Sequence, residues 1–326
     1  MKAIVVEPPG DEDSMHLAEV PAPALGPEDV RIRVRATAVN RADLLQRRGL
    51  YPPPPGASPI LGLECSGEIA EVGARVPPGF AAGDPVMALL AGGGYAEDVA
   101  VHHGSVLRVP PALDLVEAGG FPEVYLTVFL NVFQIARAEK GSTLLVHGGG
   151  SGVGTAAIQL AREAGIRCFV TAGSAEKCAR CLELGADAAI NYREDDFAEQ
   201  IAELTEGKGV DVILDPIGGA YLERNVQSLA IGGRLVVIGL TGGASAPINL
   251  AVMLMRRLQL TGSTLRVRSA AEKAAIVRGF EERFGAAVAA GRLRVVVDRV
   301  LPLERAGEAH RLVAESGHFG KVVLRV

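Results

Sequence analysis

Residues 144–157 read LLVHGGGSGVGTAA. A run this rich in glycine serves either as a flexible linker or as a phosphate cradle, and its flanks decide which. Upstream, Thr143-Leu144-Leu145-Val146-His147 is short and mostly apolar, as a strand buried on both faces is. Downstream, Val153, Ala157, Leu160, Ala161 and Ala164 share one helical face, and Gly165 stands at the stop. A linker has no place between the strand and the helix of one βαβ unit, so the run is read as a cradle. Its register, Gly149-Gly150-Ser151-Gly152-Val153-Gly154, is G-x-G-x-x-G with Ser151 in the second glycine's place. Gly149 is expected to allow the tight turn and Gly154 to let the helix approach the sheet. The helix N-terminus then turns free N–H groups and its positive dipole end toward a pyrophosphate.

Outward from the cradle, strands and helices alternate. CFVTA, a helix over 175–184, AAINY, a helix over 196–205, VDVILD, a helix over 221–230, GRLVVIG, a helix over 250–257 and LQLTG complete a six-strand dinucleotide fold. The first part of the chain differs. MKAIVVE, DVRIRVRATAV, SGEIAEVGA and DPVMALL read as short strands with glycine and proline turns, the pattern of a barrel or sandwich. The tail, with RVVVDRVLPL and GKVVLRV, resembles that first part. The fold class is therefore α/β: a doubly wound parallel Rossmann sheet (122–265) inserted into a mainly-β domain (1–121 and 266–326).

The composition narrows the function. A net charge of −5 and a pI near 5.8 leave no electrostatic footprint for nucleic acid or anionic lipid. No apolar run approaches the roughly 20 residues that span a bilayer, and acids follow the short N-terminal apolar run, so a soluble cytoplasmic protein is expected. Cys178 and Cys181 form a C-x-x-C inside a helical segment with no second ligand pair, which reads as two small helix residues.

An NAD site usually carries an Asp or Glu about 20 residues beyond the first glycine, on the ribose 2′-hydroxyl. Here the second strand ends in Val170-Thr171-Ala172-Gly173-Ser174, without an acid, and Lys177 follows. That pattern favours the 2′-phosphate of NADPH; the competing reading has Ser174 capping the next helix and Lys177 in solvent.

The whole chain resembles the medium-chain dehydrogenase/reductase superfamily. In its zinc alcohol dehydrogenases the first domain supplies a Cys shortly before an Asp and a His before a Glu. Here ATAVNRAD has Asn40 in the cysteine position and ILGLECSG has Leu63 in the histidine position. Zinc requires three or four N, S or O ligands, so no metal site is expected. NRADLLQRRGLYPPPPGASPILGLECSG, GGGYAEDVAV, HGGGSGVGTAAIQLA, TAGSAEK, ILDPIGG and GKVVL resemble the zinc-free quinone oxidoreductase family, most of all its tumour-suppressor-inducible subgroup. The resemblance implies a GroES-like first domain. It implies Ser151, Gly152 and Val153 along the pyrophosphate, and Gly173, Ser174, Lys177 and Tyr192 around the 2′-phosphate. Thr127, Gly239, Leu240 and Leu265 would line the nicotinamide half. Gly148 replaces an alanine common in relatives and is expected only to loosen the turn. A homodimer or homotetramer is implied, paired through LQLTGSTL.

Without a metal, hydride transfer needs an acceptor that is already electrophilic, a quinone or an α,β-unsaturated carbonyl. Asn40, Tyr51 and Ser151 are the candidates to hydrogen-bond the oxygen that gains charge. Glu64, beside the absent histidine, reads as structural, and Asp215, followed by Pro216, reads equally as a turn residue. The expected activity is NADPH:quinone oxidoreductase. The alternatives are a 2-alkenal or enoyl-thioester reductase, with Arg41, Arg47 and Arg48 as a basic rim, and a weakly active NADPH-binding redox sensor.

Overall fold

The computed structural model describes residues 1–326, and the chain divides into two compact units, Met1–Leu126 with Leu265–Val326, and Thr127–Thr264.

The second unit is built on a six-stranded parallel sheet. Its spatial order is Ala188–Asn191, Arg167–Ala172, Thr143–His147, Val210–Asp215, Leu229–Val237, Gln259–Gly262. Numbered along the chain, this is 3-2-1-4-5-6, the Rossmann order, with the reversal beside the strand that feeds the glycine run. The strands are apolar because helices cover both faces. Leu145, Phe169, Ile190, Ile213 and Leu235 stack in one core with Phe197 and Ile201 of the helix Phe197–Leu204 and Val226 of the helix Leu222–Ser228. Each such fully buried side chain stabilises the fold by about 1.5–3 kcal/mol. The helices fall at Gly152–Ala164, Ala175–Leu184, Phe197–Leu204, Leu222–Ser228 and Leu250–Arg256, so the 3.6-residue period placed each of them within two residues.

The first unit carries a seven-stranded sheet. Val297–Pro302, Lys321–Arg325, Asp29–Ala38, Glu64–Val72, Pro85–Leu89 and Val106–Arg108 follow one another, and Asp98–His102 also pairs with Asp29–Ala38. The alternation in DVRIRVRA is realised as Val30, Ile32 and Val34 inside, on a core with Cys65, Ile69, Val86 and Val99. Pairing of the C-terminal strand with Asp29–Ala38 (Val323 opposite Ala38) joins the chain ends in one sheet.

The tail is not only strands. Ala270–Ala289 is a 20-residue helix and Ala306–Ala314 a shorter one. The longer has a capping box, Ser269 and Glu272 each bonding the other's backbone N–H, which RSAAEK announces as S-x-x-E. No helix in the chain is long and apolar enough to cross a membrane.

Candidate functional site

The cradle lies at the carboxyl end of the first parallel strand. His147 ends that strand, and Gly148 follows with φ +75°, a left-handed conformation that costs an L side chain about 1–2 kcal/mol. The tight turn is thus made at Gly148, not at Gly149 as the motif suggests, and glycine here relieves strain instead of loosening the turn. Gly149 serves close approach: a Cβ on it would lie 2.7 Å from Val170 Cβ and 3.0 Å from Cys181 Sγ. Gly154 lets the first helical turn close on the loop itself, since a Cβ would lie 2.3 Å from the Gly148 carbonyl oxygen and 2.5 Å from that of Gly149. Ser151 is the N-cap: its Oγ accepts from Gly154 N at 3.0 Å. The amides of Gly152 and Val153 are then left without an acceptor in the chain. Two free N–H groups at a glycine-lined helix N-terminus fit a pyrophosphate.

Around the second strand, Ser174 caps the helix Ala175–Leu184 by accepting from Lys177 N at 3.2 Å, so the capping role is real. The Tyr192 hydroxyl lies where a Cβ on Gly173 would be, 2.7 Å away, which brings Gly173, Ser174, Lys177 and Tyr192 into one patch. Arg193, exposed beside Tyr192, is a further cation there that the motifs did not single out. Gly239 follows its strand closely: a Cβ would lie 2.8 Å from the Pro216 carbonyl oxygen, so two strand-end loops meet, with Leu240 exposed. Thr127 is buried, and its carbonyl accepts from Asn131 Nδ2 at 2.7 Å, at the start of the π-helical segment Phe129–Ile135. Leu265 belongs to the other unit and is buried.

Beneath the cradle runs a chain of buried polar groups that the sequence reading reached only at Asp215. His147 sits between Thr171 Oγ1 (3.1 Å) and Asn225 Oδ1 (2.7 Å), and Asn225 Nδ2 donates to Asp215 (3.0 Å). Asp215 also accepts from the amides of Ile217 and Gly218, so it is both turn residue and network member. Burial holds the His147 ring neutral, with its pKa lowered to about 4. The C-x-x-C thiols are inert: burial raises the pKa of both, that of Cys181 to about 12.

The first unit holds a second polar cluster. Asn40 precedes the helix Arg41–Arg47, and Glu64 opens a strand. Between them Lys321, 3% exposed, donates from Nζ to Asn40 Oδ1 (2.7 Å), Glu64 Oε1 (2.7 Å) and the Val39 carbonyl (3.2 Å). Asn40 Nδ2 in turn donates to Glu64 Oε1 at 2.8 Å. Asp43, fully buried, accepts from the amides of Asn40 and Gly62, and burial raises its pKa to about 6. Glu64 Oε2 accepts from Glu123 N at 2.9 Å, and burial, with Glu64 nearby, raises the Glu123 pKa to about 8. The GKVVL motif contains Lys321 but says nothing of its role; the signal available there is a cation opening the apolar strand Lys321–Arg325.

Tyr51 is half-buried, with the Arg266 guanidinium 5.2 Å from its ring centroid. Arg266 is fixed by the carbonyls of Ala91 and Tyr51 and by Gln46 Oε1. Burial raises the Tyr51 pKa, and its hydroxyl has no partner in the chain. Of the three arginines read as a basic rim, Arg47 is buried and paired with Glu12 at 2.6 Å, because its stem lies in the core under the helix Arg41–Arg47. Only Arg41 and Arg48 face solvent. No group of three or more His, Cys, Asp or Glu side chains is arranged to hold a metal ion.

Two family models match the chain: "Alcohol dehydrogenase GroES-like domain" over residues 26–111 and "Zinc-binding dehydrogenase" over residues 152–278. The chain is 35% identical to a solved NAD-dependent alcohol dehydrogenase, with both chains fully covered and a TM-score of 0.87. It is 26% identical to the quinone oxidoreductase of Escherichia coli solved with NADPH, again with full coverage of both and a TM-score of 0.87. Identity to the JamJ enoyl reductase is also 26%, covering 99% of this chain and 98% of that one, with a TM-score of 0.87. A phenolphthiocerol/phthiocerol polyketide synthase of Mycobacterium tuberculosis is 32% identical over 98% of this chain. The match covers 14% of that protein, so the chain spans about one seventh of its length.

Proposed function

The chain belongs to the medium-chain dehydrogenase/reductase superfamily, and on that premise we propose that it is an NADPH-dependent oxidoreductase that reduces a quinone without zinc. The observation that carries this reading is the ammonium of Lys321 held by Asn40 and Glu64. Where zinc relatives place a thiolate ligand, this chain has an amide already bound to an internal cation. With Asn40 and Leu63 where zinc relatives carry ligands, the acceptor must be electrophilic by itself.

The cofactor supplies a hydride when bound. The Gly152 and Val153 amides hold its pyrophosphate, and Ser174, Lys177, Tyr192 and Arg193 meet the 2′-phosphate. Tyr51 donates from its unpaired hydroxyl to the acceptor oxygen, its ring steadied by Arg266. Ser151 accepts from Gly154 and keeps its own hydroxyl proton to donate. Asn40, bonded at both ends of its amide, acts as a positioning residue. Two copies of the chain pair along the edge strand Gln259–Gly262, which has a neighbour on one side only; light scattering that gives a monomer mass would end that part of the proposal.

A second reading, reduction of a 2-alkenal or enoyl thioester, is favoured by the polyketide synthase relative and the enoyl reductase neighbour. The deciding assay is NADPH oxidation by chelator-treated protein, with an ortho-quinone and a 2-alkenal at matched concentrations. Faster quinone turnover supports the proposal, and preference for the alkenal transfers the function to the second reading. Activity that needs added zinc overturns both, and tight NADPH binding without turnover points to a sensor. Tyr51→Phe is expected to lower kcat by about tenfold, the loss of one charge-assisted hydrogen bond.

A further inference from the structure

We propose that Glu123 is a proton donor of this site, giving its carboxyl proton to the anion formed when a conjugated acceptor takes a hydride. This rests on the reading of the chain as a reductase of such acceptors.

The geometry begins at the backbone. Glu123 is the second residue of the helix Pro122–Val128, and its N–H is tied to Glu64 Oε2. Its side chain is only partly exposed, and Oε2 is buried without a hydrogen-bond partner. An orphaned buried oxygen of this kind costs about 1–3 kcal/mol, and nothing else in the cluster relieves it. The neighbouring cations are committed elsewhere. Lys321 has an acceptor for each of its three protons. Lys273 donates to the Arg266 carbonyl at 2.8 Å, and all three guanidinium nitrogens of Arg266 donate to other oxygens.

Burial first, and then the neighbouring carboxylates, keep the carboxyl neutral. Glu64, from the strand beside it, and Asp43, from the helix Arg41–Arg47, oppose its ionisation; Lys321 and Lys273 favour it less than burial opposes it. Arg266 and Tyr51 lie in the same field. The outcome is a carboxylic acid that stays protonated up to about pH 8. It shares electrostatic surroundings with the tyrosine proposed to hold the acceptor oxygen.

The step balances. The acceptor receives two electrons with the hydride and becomes an enolate or a hydroquinone anion. The Glu123 O–H bond breaks, the proton joins that anion, and the carboxylate left behind recovers a proton from water. The net change is acceptor plus NADPH plus H⁺ to reduced acceptor plus NADP⁺. An enolate has to be protonated at carbon, which is slow in water, whereas a hydroquinone anion takes its proton at oxygen. Loss of the donor is therefore felt more with an enal than with a quinone.

The test compares wild type with Glu123→Gln, which keeps the shape and the backbone bond to Glu64. kcat and KM are measured from pH 6 to 10 with 2-hexenal and with 9,10-phenanthrenequinone, and NADPH affinity by fluorescence. The expected result is a wild-type kcat that falls as pH rises past about 8, as required of a group active when protonated. In E123Q that limb disappears, and kcat with 2-hexenal drops by about 100-fold or more. KM and NADPH affinity stay within about threefold, since the donor acts on the anion formed after binding. An E123Q protein with wild-type kcat and an unchanged alkaline limb overturns the proposal. A wild-type kcat flat from pH 6 to 10 does so as well, even where the variant fails to fold. A wild-type protein inert to both acceptors overturns the reductase reading itself, and is told apart because it appears before any variant is compared.

Discussion

The glycine-rich turn at 148–154 and the polar cluster around Lys321 both present groups that a ligand would meet, and they are built in opposite ways. The turn is local. Seven consecutive residues supply the positive-φ bend, the cap and the two unpaired amides, and the helix behind them adds its dipole. The cluster is assembled from remote segments: Asn40 and Glu64 come together where Asp29–Ala38 pairs with Glu64–Val72, Glu123 joins through its N–H to Glu64, and Lys321 arrives with the C-terminal strand. Backbone groups would meet the ligand in the first and side chains in the second. A change in the turn should therefore act on the ligand through local shape, whereas a change in the cluster should act on folding stability and on proton chemistry.

The largest expected effect breaks the cluster. Lys321→Met leaves Glu64, which is 0% exposed, as a buried carboxylate without its counter-ion, at a cost of about 3–5 kcal/mol in urea unfolding. Combining it with Glu64→Gln should recover much of that loss, as coupled neighbours do; strict additivity would mean that the two side chains act independently. Gly154→Ala probes the turn. Its Cβ would press on two loop carbonyls at 2.3 and 2.5 Å, and the strain of about 1–3 kcal/mol should weaken NADPH binding at least tenfold by titration. Wild-type affinity would show that the helix does not need to close on the loop.

The pH dependence sharpens the comparison. Glu123 in the folded protein titrates near 8, above its ordinary value, so its contribution to stability is complete in acid and is lost as pH rises toward 8. His147 and His310, lowered to about 4 and 3, act in the opposite direction and are finished by about pH 6.5. Asp43 and Asp215, raised to about 6, have mostly titrated by then. Unfolding free energy should thus fall between pH 6.5 and 8, by at most about 1.4 kcal/mol per pH unit, and E123Q should flatten that slope. The smallest effect is at Gly148. Gly148→Ala should cost about 1 kcal/mol through its φ of +75°, measurable as a lower unfolding midpoint with unchanged slope.

The fold was legible because its signals are periodic and local. Apolar runs of strand length alternated with helical stripes, and the six strands followed in an order that short right-handed crossovers dictate. The helix Ala270–Ala289 escaped that reading although RSAAEK carries its cap. Its buried side chains Ile276, Phe280, Phe284 and Val288 recur every four residues along one face, so the periodic signal was present beside the cap and was passed over. In the cradle the motif located the residues but misassigned their tasks, because φ at 148 and the distance from Gly154 to the loop carbonyls belong to the folded backbone.

By itself, the sequence determined the Rossmann unit, the place of the glycine-rich turn and the lack of an acid on the second strand, all properties of neighbours along the chain. Only the tertiary structure decided that Lys321 lies between Asn40 and Glu64, that Arg47 is buried and that a carboxyl oxygen of Glu123 is buried without a partner. The physical reason is that a side chain's charge state depends on what surrounds it in space. Burial and a counter-ion far away along the chain set that environment, and no local spacing encodes either.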